Sequence, residues 1–228
     1  MTVGDHKKID RRLYLPRYTF SEADHLANVT PGTTRRWLGG YAYRAATGQH
    51  VARPPVTPRT AVDGAASFID LVEVVAIGRL KERGLSLTQI RKLVANCQEV
   101  LGVDRPLVHL QFKTGGREVF ADQRGALVEL GRTRAQRAWD EVLGPFLEDL
   151  DYAGGIARRW WPLGKSSPVV IDPDFGFGLP VIAGSGVRTE IIRERFQAGD
   201  LEQEIAADFN IDPVEVQRAL QFEIKRAA

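Results

Sequence analysis

The stretch TPGTTRRWLGGYAYR, Thr30 to Arg44, gathers hydroxyls, guanidiniums and phenols in a pattern unsuited to a core helix. Thr30, Thr33 and Thr34 can meet phosphates or base edges, and Arg35 and Arg36 carry charge to a backbone or a guanine. Tyr41 and Arg44 follow two glycines and extend the same chemistry. Catalysis has no comparable signal. His6, His25, His50 and His109 are scattered, no His/Cys cluster has metal spacing, and no nucleophile stands beside a base in a recognisable motif. The expectation is a binding protein that is not an enzyme and needs no cofactor.

The elements that must position these groups are short. Ser21 is placed to cap a first helix, with Asp24 in its first turn, and Leu26 and Val29 anchor the turn that follows. Thr30 and Pro31 restart a helix, Trp37 points to the core, and Gly39 with Gly40 ends it. Two short helices joined by a tight turn are what a helix-turn-helix needs. HVARPPVTPRTAVDGAAS then reads as a loop or extended arm.

Scaffold follows. A helical stripe runs from Ser67 to Arg83, and the next helix opens on a Ser86/Gln89 capping box with Leu85 and Ile90 as a staple. It buries Leu93, Val94 and Cys97, the only cysteine, on the way to Gly102. PLVHLQFKTGGREVFAD reads as a hairpin turning at Gly115 and Gly116, flanked by Lys113 and Arg117. That hairpin serves either as a wing on the DNA backbone or as a sheet that closes the core. A helix near Arg134 to Leu150 precedes YAGGIARRWWPLGKSS, whose adjacent Trp160 and Trp161 suit a linker seated on its neighbours.

From Pro168 the chain changes character. Val169–Ile171 and Leu179–Ile182 are short strand candidates; helices begin at Asp200/Gln203 and at Asp212, Pro213 and Glu215. This is a second helix-turn-helix pattern. Its charge is opposite to that of the first: residues 1–60 hold ten Lys/Arg and four Asp/Glu, whereas residues 170–228 hold six and eleven. A basic front at net +6 suits a polyanion, and a tail at net −5 is repelled by one. The start MTVGDHKKIDRR has no apolar middle like a signal peptide's, and no long apolar run follows, so the expected location is the cytoplasm.

The tail resembles a family of small domains of unknown function. The motifs that carry the likeness are Ile171-Asp172-Pro173, Gly178-Leu179-Pro180-Val181, Gly184-Ser185-Gly186-Val187 and the run from Ala198-Gly199 to Ala206. Members resemble antitoxins of VapB type, encoded beside toxins with a PIN-like fold. TPGTTRRWLGGY and GLSLTQIRKLV are similar to the MerR-like amino-terminal domain of longer members, with Asp24 standing where such helices usually carry a small apolar residue.

The resemblance implies a mainly α protein with small β hairpins and two helix-turn-helix-like domains, the first winged if the hairpin serves that way. A MerR-like domain would occupy residues 1–125, a helix and linker 126–166, and the antitoxin-associated domain 167–228. The implied function is a DNA-binding antitoxin of a type II toxin-antitoxin system, expected to be a homodimer that neutralises a PIN-like ribonuclease and represses its own operon. The expected toxin contacts are the cations Arg188, Arg193, Arg195, Lys225 and Arg226. The competing reading is a free-standing MerR-like regulator with a carboxyl-terminal sensing or dimerisation domain.

Overall fold

A computed structural model of the protein describes residues 10–57, 64–121 and 138–227. Tyr18–Thr19 forms a two-residue strand, β1, paired antiparallel with Ala65–Ala66, called β4 below. Where β1 ends, α1 (Phe20–Leu26) begins. Thr19 and not Ser21 is its cap: the Thr19 hydroxyl accepts from the Glu22 amide at 3.1 Å, and the Glu22 carboxylate accepts from the Thr19 amide at 2.7 Å. The shift leaves Asp24 buried and free for another task.

Helix α2 (Thr33–Gly39) starts later than the Thr30-Pro31 signal suggests, with Gly32 in the left-handed region at its head. It ends at Gly39 and Gly40 as expected, and Trp37 is buried. A hairpin of β2 (Tyr41–Arg44) and β3 (His50–Arg53) follows, in a region expected to hold only a loop or arm from His50 onward.

The core is built around α3 (Phe68–Glu82), capped by Ser67 and Asp70 and buried along almost its whole length. Helix α4 (Leu87–Leu101) has the Ser86/Gln89 capping box, and it buries Ile90, Leu93, Val94 and Cys97. Burial pushes the Cys97 thiol up to about 12, so it stays protonated and serves packing.

The expected hairpin at Gly115-Gly116 is instead a helix. A 3-10 turn at Pro106–Val108 leads into α5 (Leu110–Ala121), which runs through both glycines. Leu107 and Val108 are both buried, so the apparent alternation never had an exposed face. Gly116 is there for space: a Cβ would lie 2.5 Å from the Phe112 ring and 2.8 Å from the Trp139 indole. Those rings meet edge to face with centroids 5.1 Å apart.

The helix expected from Arg134 begins outside the described residues. Its described part is a π-helical turn, Trp139–Leu143, continuing into α6 (Gly144–Glu148). The expected linker is a second correction. Residues Leu150–Ala153 (β5) and Ile156–Trp160 (β6) form a hairpin through Gly154 and Gly155. That hairpin joins β7 (Val169–Ile171) and β8 (Pro180–Ile182) in an antiparallel sheet ordered β5-β6-β7-β8. Trp160 is buried in this sheet, and the half-buried Trp161 donates to Asp151 at 2.8 Å.

Three helices close the chain: α7 (Thr189–Gln197), α8 (Glu202–Phe209) and α9 (Pro213–Ala227). Ile192, Ile205, Val216, Ala219 and Phe222 bury their shared face. Among the described residues no helix is long and apolar enough to cross a membrane.

Candidate nucleic-acid interface

Asp24 sets the geometry of the basic end. Its two carboxylate oxygens accept from the backbone amides of Gly32 and Thr34, each at 2.6 Å, while the Thr33 amide donates to the Thr30 carbonyl at 3.1 Å. Gly32 has no side chain to cap with, so a residue of the preceding helix supplies the acceptor. A carboxylate therefore occupies the place where a phosphate would meet the first amides of α2.

This revises the role expected of the threonines. Thr33 and Thr34 are buried, and Thr30 is exposed with its hydroxyl 2.9 Å from that of Thr33. Thr33 also accepts from Arg36 Nη2 at 3.2 Å. The Thr33 hydroxyl ties the turn together, the Thr34 hydroxyl is buried without a hydrogen-bond partner, and neither residue is exposed at the surface. Arg35 and Arg36 are exposed, Arg35 with its guanidinium 5.7 Å from the Phe20 ring centroid.

The β2–β3 hairpin adds a second surface. Its register pairs Tyr41 with Arg53, Tyr43 with Val51 and Arg44 with His50. Strand alternation puts Tyr41, Tyr43, Val51 and Arg53 on one face and Arg44 and His50 on the other. The two tyrosine rings stack with centroids 6.1 Å apart, and Tyr43, Arg44, His50 and Arg53 are exposed.

The hairpin's base is fixed. Arg91 on α4 donates to the Pro54 carbonyl at 2.7 Å and to that of Pro55 at 3.2 Å. A Cβ on Gly40 would fall 2.6 Å from the Arg53 carbonyl oxygen. Glycine is required there for the strands to approach, and its φ of 73° points the same way.

Lys113 and Arg117 do not belong to a wing. On α5, Lys113 pairs with Glu148 at 2.8 Å and lies over the Tyr152 ring, and Arg117 pairs with Asp140 at 3.1 Å. Both are paired with carboxylates at the surface, with Arg117 exposed. The missed residues, Tyr43, His50 and Arg53, had a signal: YAYR and HVAR flank a Gly48 turn with strand-forming Tyr and Val.

At the acidic end, the expected cations are mostly committed. Arg193 pairs with Glu190 at 3.6 Å and with buried Glu223 at 3.3 Å, and Arg226 also reaches Glu223 at 3.3 Å. Arg195 binds Asp200 at 2.5 Å and Asp208 at 2.7 Å. Arg188 is half-buried and Lys225 exposed. Between α1 and this end lies a cavity of about 520 Å³, lined by His25, Val29, Pro180, Arg188, Glu190 and Arg226 among others.

Comparison with known proteins agrees with this architecture. Residues 169–222 match a family described as "Protein of unknown function (DUF433)". A protein of Mycobacterium tuberculosis named "Putative antitoxin VapB45" is 26% identical over 96% of this chain and 98% of its own length. "Uncharacterized protein Rv2308" of the same organism is 23% identical over 94% of this chain and 91% of its own. The X-ray structure of RV2018 from M. tuberculosis superposes with a TM-score of 0.68 at 25% identity, covering 90% of this chain and 97% of that one. The chain is thus similar, almost end to end, to a protein named as an antitoxin and to a solved structure of the same fold.

Proposed function

We propose that the chain is a DNA-binding antitoxin that represses its own operon and neutralises a PIN-like ribonuclease. The observation that carries the DNA half is the exposed Arg35 and Arg36 on α2 beside a hairpin that carries Tyr41 and Arg53 on one face and Arg44 and His50 on the other. Arginines beside a projecting two-stranded ribbon fit a groove flanked by phosphates, with the ribbon as the wing. The end-to-end similarity to a protein named as an antitoxin supports the partner half. A homodimer in the cytoplasm, matched to a two-fold operator, completes the reading.

Two measurements test it. Gel-shift titration on the chain's own promoter should show each of Arg35→Ala and Arg36→Ala weakening binding by about 1–3 kcal/mol where the arginine reads a base. The chain should also inhibit a nuclease encoded by an adjacent reading frame. Unchanged affinity in the double variant sinks the DNA half, and absence of such a nuclease sinks the partner half.

The cavity of about 520 Å³ between α1 and the carboxyl-terminal helices favours a second reading, a free-standing MerR-like regulator that senses a small ligand. A ligand that changes operator affinity in the purified chain, with no nuclease present, would select it.

A further inference from the structure

A cleft of about 400 Å³ opens between α3, α9 and the turn of residues 161–168 that joins β6 to β7. Both of its helical walls are cationic. Arg79 of α3 stands on one side, its guanidinium 5.1 Å from the Phe146 ring centroid. Arg218 and Lys225 stand on the other, two turns apart on α9 with Gln221 between them, and so share one helix face. None of the three cations forms a salt bridge among the described residues. The Arg218 guanidinium meets only the Gln221 side chain, at 3.0 Å.

The turn that closes the cleft is fixed by its own backbone. The Trp161 amide donates to the Asp149 carbonyl at 2.9 Å, the Gly164 amide to the Trp161 carbonyl at 3.0 Å, and the Ser167 amide to the Gly164 carbonyl at 3.0 Å. Ser166 is left over. It lines the cleft and is exposed, and neither its hydroxyl nor its amide has an acceptor among the described residues.

Carboxylates are fewer here than cations. Asp149 lines the cleft, half-buried, and burial raises it above the ordinary aspartate range. Its neighbours are already answered: Glu148 pairs with Lys113 and Asp151 with Lys165, each at 2.8 Å. Three cations without a salt bridge, facing each other across one carboxylate, suit an anion with more than one charge that can be gripped from two helices at once. We infer that this cleft is a binding site for a small multivalent oxyanion, held by Arg79 on one side and by Arg218 and Lys225 on the other. Bound there, the anion bridges α9 to the core helix α3 and stabilises the fold by mass action. The site stands apart from α2 and its hairpin, and it does not depend on the antitoxin reading.

The test is calorimetric titration of the full chain at constant ionic strength, with pyrophosphate in one arm and citrate in the other. Wild type should bind at least one of them saturably, and the arm that binds tells a phosphate source from a carboxylate source. Arg218→Gln with Lys225→Gln changes two exposed side chains, so the fold stands, and binding should weaken at least about tenfold. Lys113→Gln with Arg117→Gln removes the same charge elsewhere and should leave binding unchanged. Equal losses in the two double variants overturn the proposal, because attraction to net charge alone then explains the binding. Absence of saturable binding in both arms overturns it too. So does a short duplex of unrelated sequence whose binding is lost in the Arg218/Lys225 variant and kept in the other, because the cleft is then part of a nucleic-acid surface.

Discussion

The carboxylate of Asp24 accepts the Thr34 backbone amide at 2.6 Å, so a residue of α1 caps α2 across the turn between them. The bond is buried, and its companion to the Gly32 amide is equally short at 2.6 Å. Orientation of α2 against α1 thus depends on a buried side chain of the preceding helix.

Asp24→Ala should lower stability by about 1–3 kcal/mol, since it removes a cap and leaves amides unpaired. Asp24→Asn keeps one good acceptor and should fall between. Urea unfolding of both variants measures the difference, and equal stability of all three proteins contradicts the capping role.

The hairpin and α5 make opposite predictions about salt. Replacing Arg44 and Arg53 together with alanine should flatten the slope of log affinity against log salt by about one to two units. Lys113→Ala with Arg117→Ala should leave the slope alone, because those cations answer Glu148 and Asp140. The reverse pattern would place the DNA backbone against α5.

Glu73 predicts a pH dependence of stability. It is buried with Asp70 around Arg105, whose Nη1 lies 2.5 Å from Glu73 and 3.1 Å from Asp70. Burial outweighs the guanidinium and pushes the Glu73 carboxyl up to about 7. The fold therefore holds this proton more tightly than the unfolded chain does. The stability it brings is complete below the ordinary glutamate range and is lost as pH rises through about 7. A loss on the order of 3 kcal/mol between pH 4.5 and 8 is expected, and Glu73→Gln should flatten that part of the profile. Thermal melts across this range decide it.

Gly116→Ala should destabilise the chain by about 1–3 kcal/mol, because the new methyl meets the Phe112 and Trp139 rings. Gly115→Ala, whose Cβ would meet only Leu101 at 3.9 Å, should be neutral or stabilising. Chemical unfolding of the pair compares them directly.

Local chemistry made the capped helices readable: Ser67, Ser86 with Gln89, and the Gly39-Gly40 stop each act within one turn of the chain. Trp37 and the apolar stripe of α4 were readable for the same reason. What escaped depends on distant partners. Gly115-Gly116 looks like a turn until the Phe112 and Trp139 rings are in place, and Trp160 looks like linker until β7 lies beside it. Asp24 looked like a member of its own helix, while its acceptors serve the next one.

The sheet ordered β5-β6-β7-β8 has a practical meaning for anyone who cuts or grafts this chain. The block matching the family of unknown function begins at residue 169, on β7, so it carries only the β7 and β8 half of the sheet. Excised alone, it would bare the β7 edge where Ile171 pairs with Trp160 of β6, an invitation to pair with foreign strands. Exchanging this block between relatives therefore calls for carrying Leu150–Trp160 along with it, as one transplanted piece.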